Sequence, residues 1–324
     1  MKACIYGAGA IGGWIGNRLA HAGCSVSVVA RGTTLDALQL HGLRLHEGTQ
    51  TTSQPVASTD TPAELGVQDL VVLAVKAPSL PDVARQIAPL LGPQTIVLTA
   101  MNGVPWWFLQ GFGGALAGTR LASVDPDGAL AGALPVGHII GCVVHASCSV
   151  DEPGQVQHHF GNKLIVGEPS GAKTERVLQL ARLLEKAGFE APVSEQIQKD
   201  IWFKLWGNMT VNPISALTGA TIDRIMDDDL VRGFISHVML EAKEIGARIG
   251  ITIDQKPEDR HQITRRLGAV KTSMLQDVEA GKALELDALV TVVKELGQLT
   301  RVDTPYTDAL LGLARLKARV KGLY

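Results

Sequence analysis

The chain has 324 residues, 46% hydrophobic and 19% charged, and its 30 Lys and Arg against 32 Asp and Glu leave a formal net charge of −2. That balance supplies no attraction toward a polyphosphate backbone or an anionic bilayer, so charge-driven nucleic-acid and membrane-surface roles are disfavoured, and the apolar content is that of a globular protein rather than a disordered one. At about 150 residues per domain the length predicts two domains, and no apolar run approaches the roughly 18 residues of a membrane span.

Lys2 and the Gly/Ala/Ile-rich stretch after it loosely imitate a secretion signal, but Tyr6, the glycines at 7, 9, 12, 13 and 16, and Asn17-Arg18 interrupt the apolar region. Cys4, Cys24, Cys142 and Cys148 form no CxxC pair or Cys/His cluster, which predicts small core residues of a reduced, cytoplasmic protein with no metal centre.

In chain order, Ala3 to Tyr6 reads as a strand, Ile11 to His21 as a helix, Ser25 to Ala30 as a second strand and Thr33 to His41 as a second helix. Asp69 to Val75 and Gln94 to Thr99 are apolar throughout and are separated by a helical stretch, Leu80 to Leu91. Strands without alternation are buried on both faces, so these segments predict a parallel sheet covered by helices, a doubly wound α/β domain. Residues 110–136 are rich in Gly, Ala, Asp and Pro and read as loop. Segments 138–149, 154–159 and 163–167 read as strands with turns at 151–154 and 161–162, an antiparallel extension closed by a helix at 173–187. After Ser194 the strand signal ends, and helical spacing covers 195–212, 228–249, 256–268, 282–299 and 305–320. The expectation is a Rossmann-type domain over 1–194 and an all-helical domain over 195–324.

Gly7-Ala8-Gly9-Ala10-Ile11-Gly12 follows the first strand and opens the first helix. In that context the first glycine permits the turn, the second lets a pyrophosphate approach the backbone, and the third lets helix and strand pack closely. The second strand ends Val28-Val29-Ala30-Arg31 with no acid to hold a ribose 2′-hydroxyl. A guanidinium there can bind a 2′-phosphate, so NADP(H) is the expected cofactor. Lys76 and Asn102 follow later strands at the edge where ligands bind in open α/β sheets. In the helical half, Lys204, Asn208 and Asn212 are spaced i, i+4, i+8 and share one helix face among Ile201, Trp202, Phe203, Leu205, Trp206, Met209 and Val211. A lysine in such a setting is suited to proton transfer. Ser273 reads as a helix cap or a ligand-binding hydroxyl, and Glu285 as a surface acid or a site residue.

Taken together, GAGAIGG, Lys76, MNG at 101–103, PGQVQHHFGNKLIVGE at 153–168, DIWFKLWGNMTVNPISALTG at 200–219, SMLQDVEAGKALELD at 273–287 and Asp303-Thr304-Pro305-Tyr306 resemble the ketopantoate reductase (2-dehydropantoate 2-reductase) family over nearly the whole chain. The resemblance implies NADPH-dependent reduction of a branched, hydroxylated 2-oxo acid, most directly 2-dehydropantoate to pantoate. It assigns Lys204 as general acid and Glu285 as the group that binds the substrate hydroxyl and orients the pocket beside the cofactor. Asn208, Asn212 and Ser273 then hold substrate, and Asn102 and Lys76 line the cleft shared by nicotinamide and substrate. Four positions depart from the family pattern: Leu284 stands before the glutamate where Thr is usual, Val290-Thr291 replaces an Asn-Gly, and Val270 replaces an asparagine. Fewer hydrogen-bonding partners would weaken selection for a substrate hydroxyl, which keeps open a reductase for a more apolar 2-oxo acid. A non-catalytic NADP(H)-binding sensor is the alternative of another class. The expected partner is a small 2-oxo acid, without nucleic acid or membrane, for a monomer or homodimer.

Overall fold

The structure, a computed structural model, describes residues 1–324 and divides into two compact units. The first joins Met1–Met101 to Gly128–Asp200, and the second joins Asn102–Asp127 to Ile201–Tyr324.

The first unit is built on one nine-stranded sheet. Strands β1 (Lys2–Tyr6), β2 (Ser25–Val29), β5 (Ala57–Thr59), β6 (Leu70–Leu73), β7 (Ile96–Thr99) and β8 (Ile139–Glu152) pair in parallel in the order β5-β2-β1-β6-β7-β8. With those six numbered along the chain, the order is the 3-2-1-4-5-6 of dinucleotide-binding sheets. Apolar residues on both faces of β1 and β6 are buried, as continuous apolar runs require. One face is covered by α1 (Ala10–His21) and α5 (Glu175–Lys186), whose Trp14, Ile15, Leu19, Leu180 and Leu184 join Ile5, Val72, Leu98 and Leu164 in a common core. The helix α2 (Gly32–His41) follows β2, and α3 (Leu80–Gln86) follows β6. Of the stretch 110–136, which reads as loop, residues Ala129–Ala133 form a short helix, α4.

Strand β8 turns at Pro153-Gly154 into β9 (Gln155–Gly167), the antiparallel extension expected. The two strands read at 154–159 and 163–167 are, however, one strand. Gly161, at φ +81°, lies in a bulge: a Cβ there would come 2.5 Å from His145 O, so a sequence signal that resembles a turn only bends the ladder. A hairpin not legible in the sequence, β3 (Leu43–Glu47) with β4 (Gln50–Gln54), adds to the outer edge of β9. The buried Asn17 secures it, donating to Leu43 O at 2.7 Å and accepting from Thr52 Oγ1 at 2.9 Å.

The second unit is helical: α6 (Ile197–Thr218, its first residues in the other unit), α7 (Ile222–Asp227), α8 (Asp229–Arg248), α9 (Pro257–Arg265), α10 (Ser273–Glu279), α11 (Val292–Thr300) and α12 (Pro305–Val320). The helix expected to stop at 212 continues through Pro213 to Thr218. An interior proline costs a helix about 3 kcal/mol or more, and burial of Ile214, Ser215 and Ala216 on the far side offsets it. Trp202, Trp206 and Met209 are fully buried, and Trp206 Nε1 donates to Met239 O of α8 at 2.7 Å. Glu241 of α8 caps α12, accepting from Tyr306 N at 2.8 Å and Thr307 N at 2.9 Å.

A single cut at 194 does not describe the chain, because residues 102–127 group with the helices. Three contacts hold them there. Val104 N donates to Ala288 O at 2.8 Å, Phe108 packs on Trp202 with ring centroids 6.0 Å apart, and the Glu295 carboxylate accepts from Ala122 N, Ser123 N and Ser123 Oγ. The Ala288 carbonyl belongs to a π-helical turn, Asp287–Thr291, that opens α11. Gly103 lies against this turn at φ +83°; a Cβ there would sit 2.4 Å from Ala288 O, so no other residue lets the loop approach.

Candidate active site

In the first unit, the three glycines after β1 have the separate roles that the motif demands. Gly7 turns the chain at φ +99°, and its Cβ would strike Val75 Cγ1 at 2.7 Å. Gly12 packs α1 onto the strand so tightly that a Cβ would lie 2.0 Å from Gly7 O. Gly9 faces open space, with nothing within 4 Å of its would-be Cβ. It is also the N-cap of α1, which has no side-chain cap and no acid in its first turn. Unpaired N–H groups at a helix N-terminus beside an open glycine suit a pyrophosphate, so these residues fit a dinucleotide. Ala8 is buried beneath this turn, and Ala10 and Ile11 form the first helical turn, half-buried.

Arg31 is the N-cap of α2, exposed, directly after β2. Its Nη1 meets Asp82 Oδ2 at 3.3 Å, with the two side chains 68% and 42% exposed. An exposed pair of this kind is worth about 0–1 kcal/mol, a weak competitor for a phosphate dianion. Asp82 also pairs with Arg85. Lys76 is half-buried at the start of the turn after β6. It is on the same sheet edge as Gly7, whose N–H donates to Val29 O at 3.0 Å.

The second unit brings two of the expected site residues into direct contact. Lys204 Nζ donates to Asn102 Oδ1 at 2.8 Å. Lys204 reaches this position because α6 is buried almost all round: between residues 201 and 216 only Phe203, Lys204 and Asn208 are half-buried, and every other residue is buried. At about 100° per residue, Phe203, Gly207, Lys204 and Asn208 fall within an arc of about 140°, so this arc is the open side of the helix. Asn102 is presented by the loop that Gly103 and Val104 seat on the π-helical turn. An ammonium hydrogen-bonded to a neutral amide gains a direction, which is what a proton donor to a developing alkoxide needs.

The remaining expected residues are placed as follows. Asn212, two turns after Lys204, is 5% exposed. Ser273 is exposed at the first turn of α10, but the cap is Thr272, whose hydroxyl accepts from Leu275 N at 3.2 Å. Glu285 is half-buried immediately before the π-helical turn, its carbonyl accepting from Leu289 N at 3.2 Å. Leu284, expected to change the substrate side, is 4% exposed and lines a small pocket with Ala216, Leu217, Ala314, Ala318 and the stems of Lys317 and Lys321. That substitution therefore alters packing.

One residue absent from the sequence reading stands beside this arc. The Arg260 guanidinium of α9 lies 5.1 Å from the Phe203 ring centroid and occupies the space left by Gly207, whose Cβ would come 2.8 Å from Nη2. Nothing in the sequence marks it, since Glu258-Asp259-Arg260 reads as a solvated helix surface.

Comparison with known proteins shows the family to which the chain is related. A family model described as "Ketopantoate reductase PanE/ApbA" matches residues 3–171, and its C-terminal counterpart matches residues 196–318. The chain is 48% identical to a 2-dehydropantoate 2-reductase of Mesorhizobium japonicum, with all of both chains covered. Among solved structures it is similar to a candidate ketopantoate reductase from Ralstonia solanacearum, with 55% identity, TM-score 0.96, and 100% and 99% of the two chains covered. A 2-dehydropantoate 2-reductase from Geobacter metallireducens superposes with TM-score 0.86 at 26% identity, covering 98% of this chain and 100% of that one.

Proposed function

The chain belongs to the ketopantoate reductase family, an NAD(P)-dependent group of oxidoreductases acting on CH–OH groups, and from that premise we propose that it reduces 2-dehydropantoate to pantoate with NADPH. The observation that carries the reading is the Lys204 Nζ–Asn102 Oδ1 hydrogen bond at 2.8 Å on the open arc of an otherwise buried helix. A sensor needs the dinucleotide turn alone and has no use for an oriented lysine in the other unit.

Gly9 and the first N–H groups of α1 would receive the pyrophosphate, and Arg31 the 2′-phosphate. Bound NADPH supplies a hydride to C2 of the keto acid. As the carbonyl oxygen gains negative charge, Lys204 stabilises it with an N–H and then transfers the proton, yielding the hydroxyl. Asn102 holds the Lys204 ammonium in one direction through this step. Asn208, Asn212 and Ser273 supply amide and hydroxyl groups for the substrate's polar ends, and Glu285 accepts from its hydroxyl. Lys76 adds positive charge at the carboxyl edge of the sheet.

The test is NADPH oxidation against a panel of 2-oxo acids, followed at the nicotinamide absorbance. The reading expects 2-dehydropantoate to give the highest kcat/KM. No turnover of any member by protein that still binds NADPH would overturn it. A second reading, a reductase for a more apolar 2-oxo acid, rests on half-buried Val270, where the family pattern has a polar group. The same panel decides between them.

A further inference from the structure

We propose that Arg260 is the specificity-determining residue that binds the substrate's carboxylate, an inference that rests on the reading of the site as one for a 2-oxo acid. Four observations carry it. The guanidinium is lodged on α6 at Phe203 and Gly207, two of the residues within the helix's open arc, and Gly207 is the i+3 neighbour of Lys204 on that helix. Gly207 makes the seat, because any side chain there would collide with Nη2, Nε and Cζ. Nε is buried without a hydrogen-bond partner, while the residue as a whole is half-buried. No carboxylate of the protein neutralises the group: its sequence neighbour Asp259 is engaged at the helix start, accepting from Lys256 N at 2.9 Å. Burial alone acts on its titration and pushes it down, with no acidic neighbour to restore it.

A desolvated cation without a counter-ion is unfavourable in the free protein unless a ligand completes it. Stacking on Phe203 orients the plane but cannot supply a charge. The Nη1/Nη2 edge is a planar fork that matches the two oxygens of a carboxylate, a geometry an ammonium does not reproduce. A 2-oxo acid carries that carboxylate one bond from its keto carbon. Lys204 on the keto oxygen and Arg260 on the carboxylate would therefore fix both polar groups of the reacting end.

The experiment compares 2-dehydropantoate with its neutral primary amide, at saturating NADPH, in the parental full-length chain, Arg260→Met and Arg260→Lys. Calorimetric titration with 2-dehydropantoate runs alongside, so that binding is read without turnover. For the acid, Arg260→Met should lower kcat/KM by about tenfold or more, chiefly through KM, while the amide changes by less than about threefold. The affinity for the acid should fall in parallel, with Tm and NADPH affinity unchanged, and Arg260→Lys should recover part of the loss. Equal losses for acid and amide, or no loss for either, would overturn the assignment and leave the reductase reading standing. Acid binding that depends on Arg260 without turnover of any 2-oxo acid would do the reverse. A parental chain that binds no 2-oxo acid would overturn both.

Discussion

If Asn102 acts by aiming Lys204, the two residues form one catalytic unit, and a double-mutant cycle shows it. Lys204→Ala removes both the proton donor and the positive charge facing the developing alkoxide. General acid catalysis alone contributes about 10²–10⁴-fold, so kcat/KM for the best 2-oxo acid should fall by at least about 10². Asn102→Ala removes one hydrogen bond to a charged group, the 2.8 Å contact to Nζ. Such bonds contribute about 1.5–3 kcal/mol, and at 1.36 kcal/mol per tenfold this is a loss of roughly 10–100-fold. Independent residues would multiply to about 10³ or more, whereas a shared role leaves the double variant about as slow as Lys204→Ala alone. Steady-state kinetics on all four proteins, with Tm and NADPH affinity measured on the same samples, provides the comparison. A multiplicative double variant would refute the aiming role of Asn102. A folded Lys204→Ala protein near the parental rate would remove Lys204 from the chemistry.

Arg31→Ala should abolish most of a preference for NADPH over NADH that is expected at about 1–3 kcal/mol, the scale of a charge-assisted contact; equal parental affinities for the two cofactors would defeat the cofactor assignment. Gly9→Ala should leave Tm unchanged, since its Cβ meets nothing within 4 Å, yet weaken NADPH binding in a fluorescence titration, whereas Gly12→Ala should unfold the turn by driving a Cβ to 2.0 Å from Gly7 O. Burial pushes the thiols of Cys4 and Cys148 up to about 12, so at pH 8 about 10⁻⁴ of each is thiolate. Iodoacetamide should therefore spare both in the native chain and label them after denaturation; rapid native labelling of either would show that its surroundings are more open than the structure has them.

How much of this is legible in the sequence depends on the range of the forces involved. Continuous apolar runs report burial on both faces of a strand, which is why 3–6, 70–73 and 96–99 read correctly as a parallel sheet. The hairpin over 43–54 escapes because Leu43 and Leu45 are its only buried residues, and what fixes it is Asn17, a side chain from another element. Gly161 reads as a turn and proves a bulge, since glycine reports a backbone conformation and not whether the pairing continues beyond it. The helical spacing read over 195–212 runs on in the fold through Pro213 to Thr218, where tertiary burial offsets the cost of an interior proline.

The site divides along the same line. Lys204, Asn208 and Asn212 are visible because their spacing matches the helical repeat, and the glycine turn because each glycine answers a local steric demand. What the spacing cannot tell is that residues 102–127 leave the sheet for the helical unit, so that Asn102 reaches Lys204. That step depends on a carbonyl of a π-helical turn, Ala288 O, and on the absence of a side chain at Gly103, two features separated by most of the chain. Arg260 is the extreme case. Its sequence context, beside Glu258 and Asp259, reads as an exposed helix rich in compensating charge, while in three dimensions it lies on Phe203 without an acid. A charge that pairs in the sequence and stands unpaired in the fold is a signal only coordinates can provide, and it falls beside the lysine with which a 2-oxo acid would have to share its polar end.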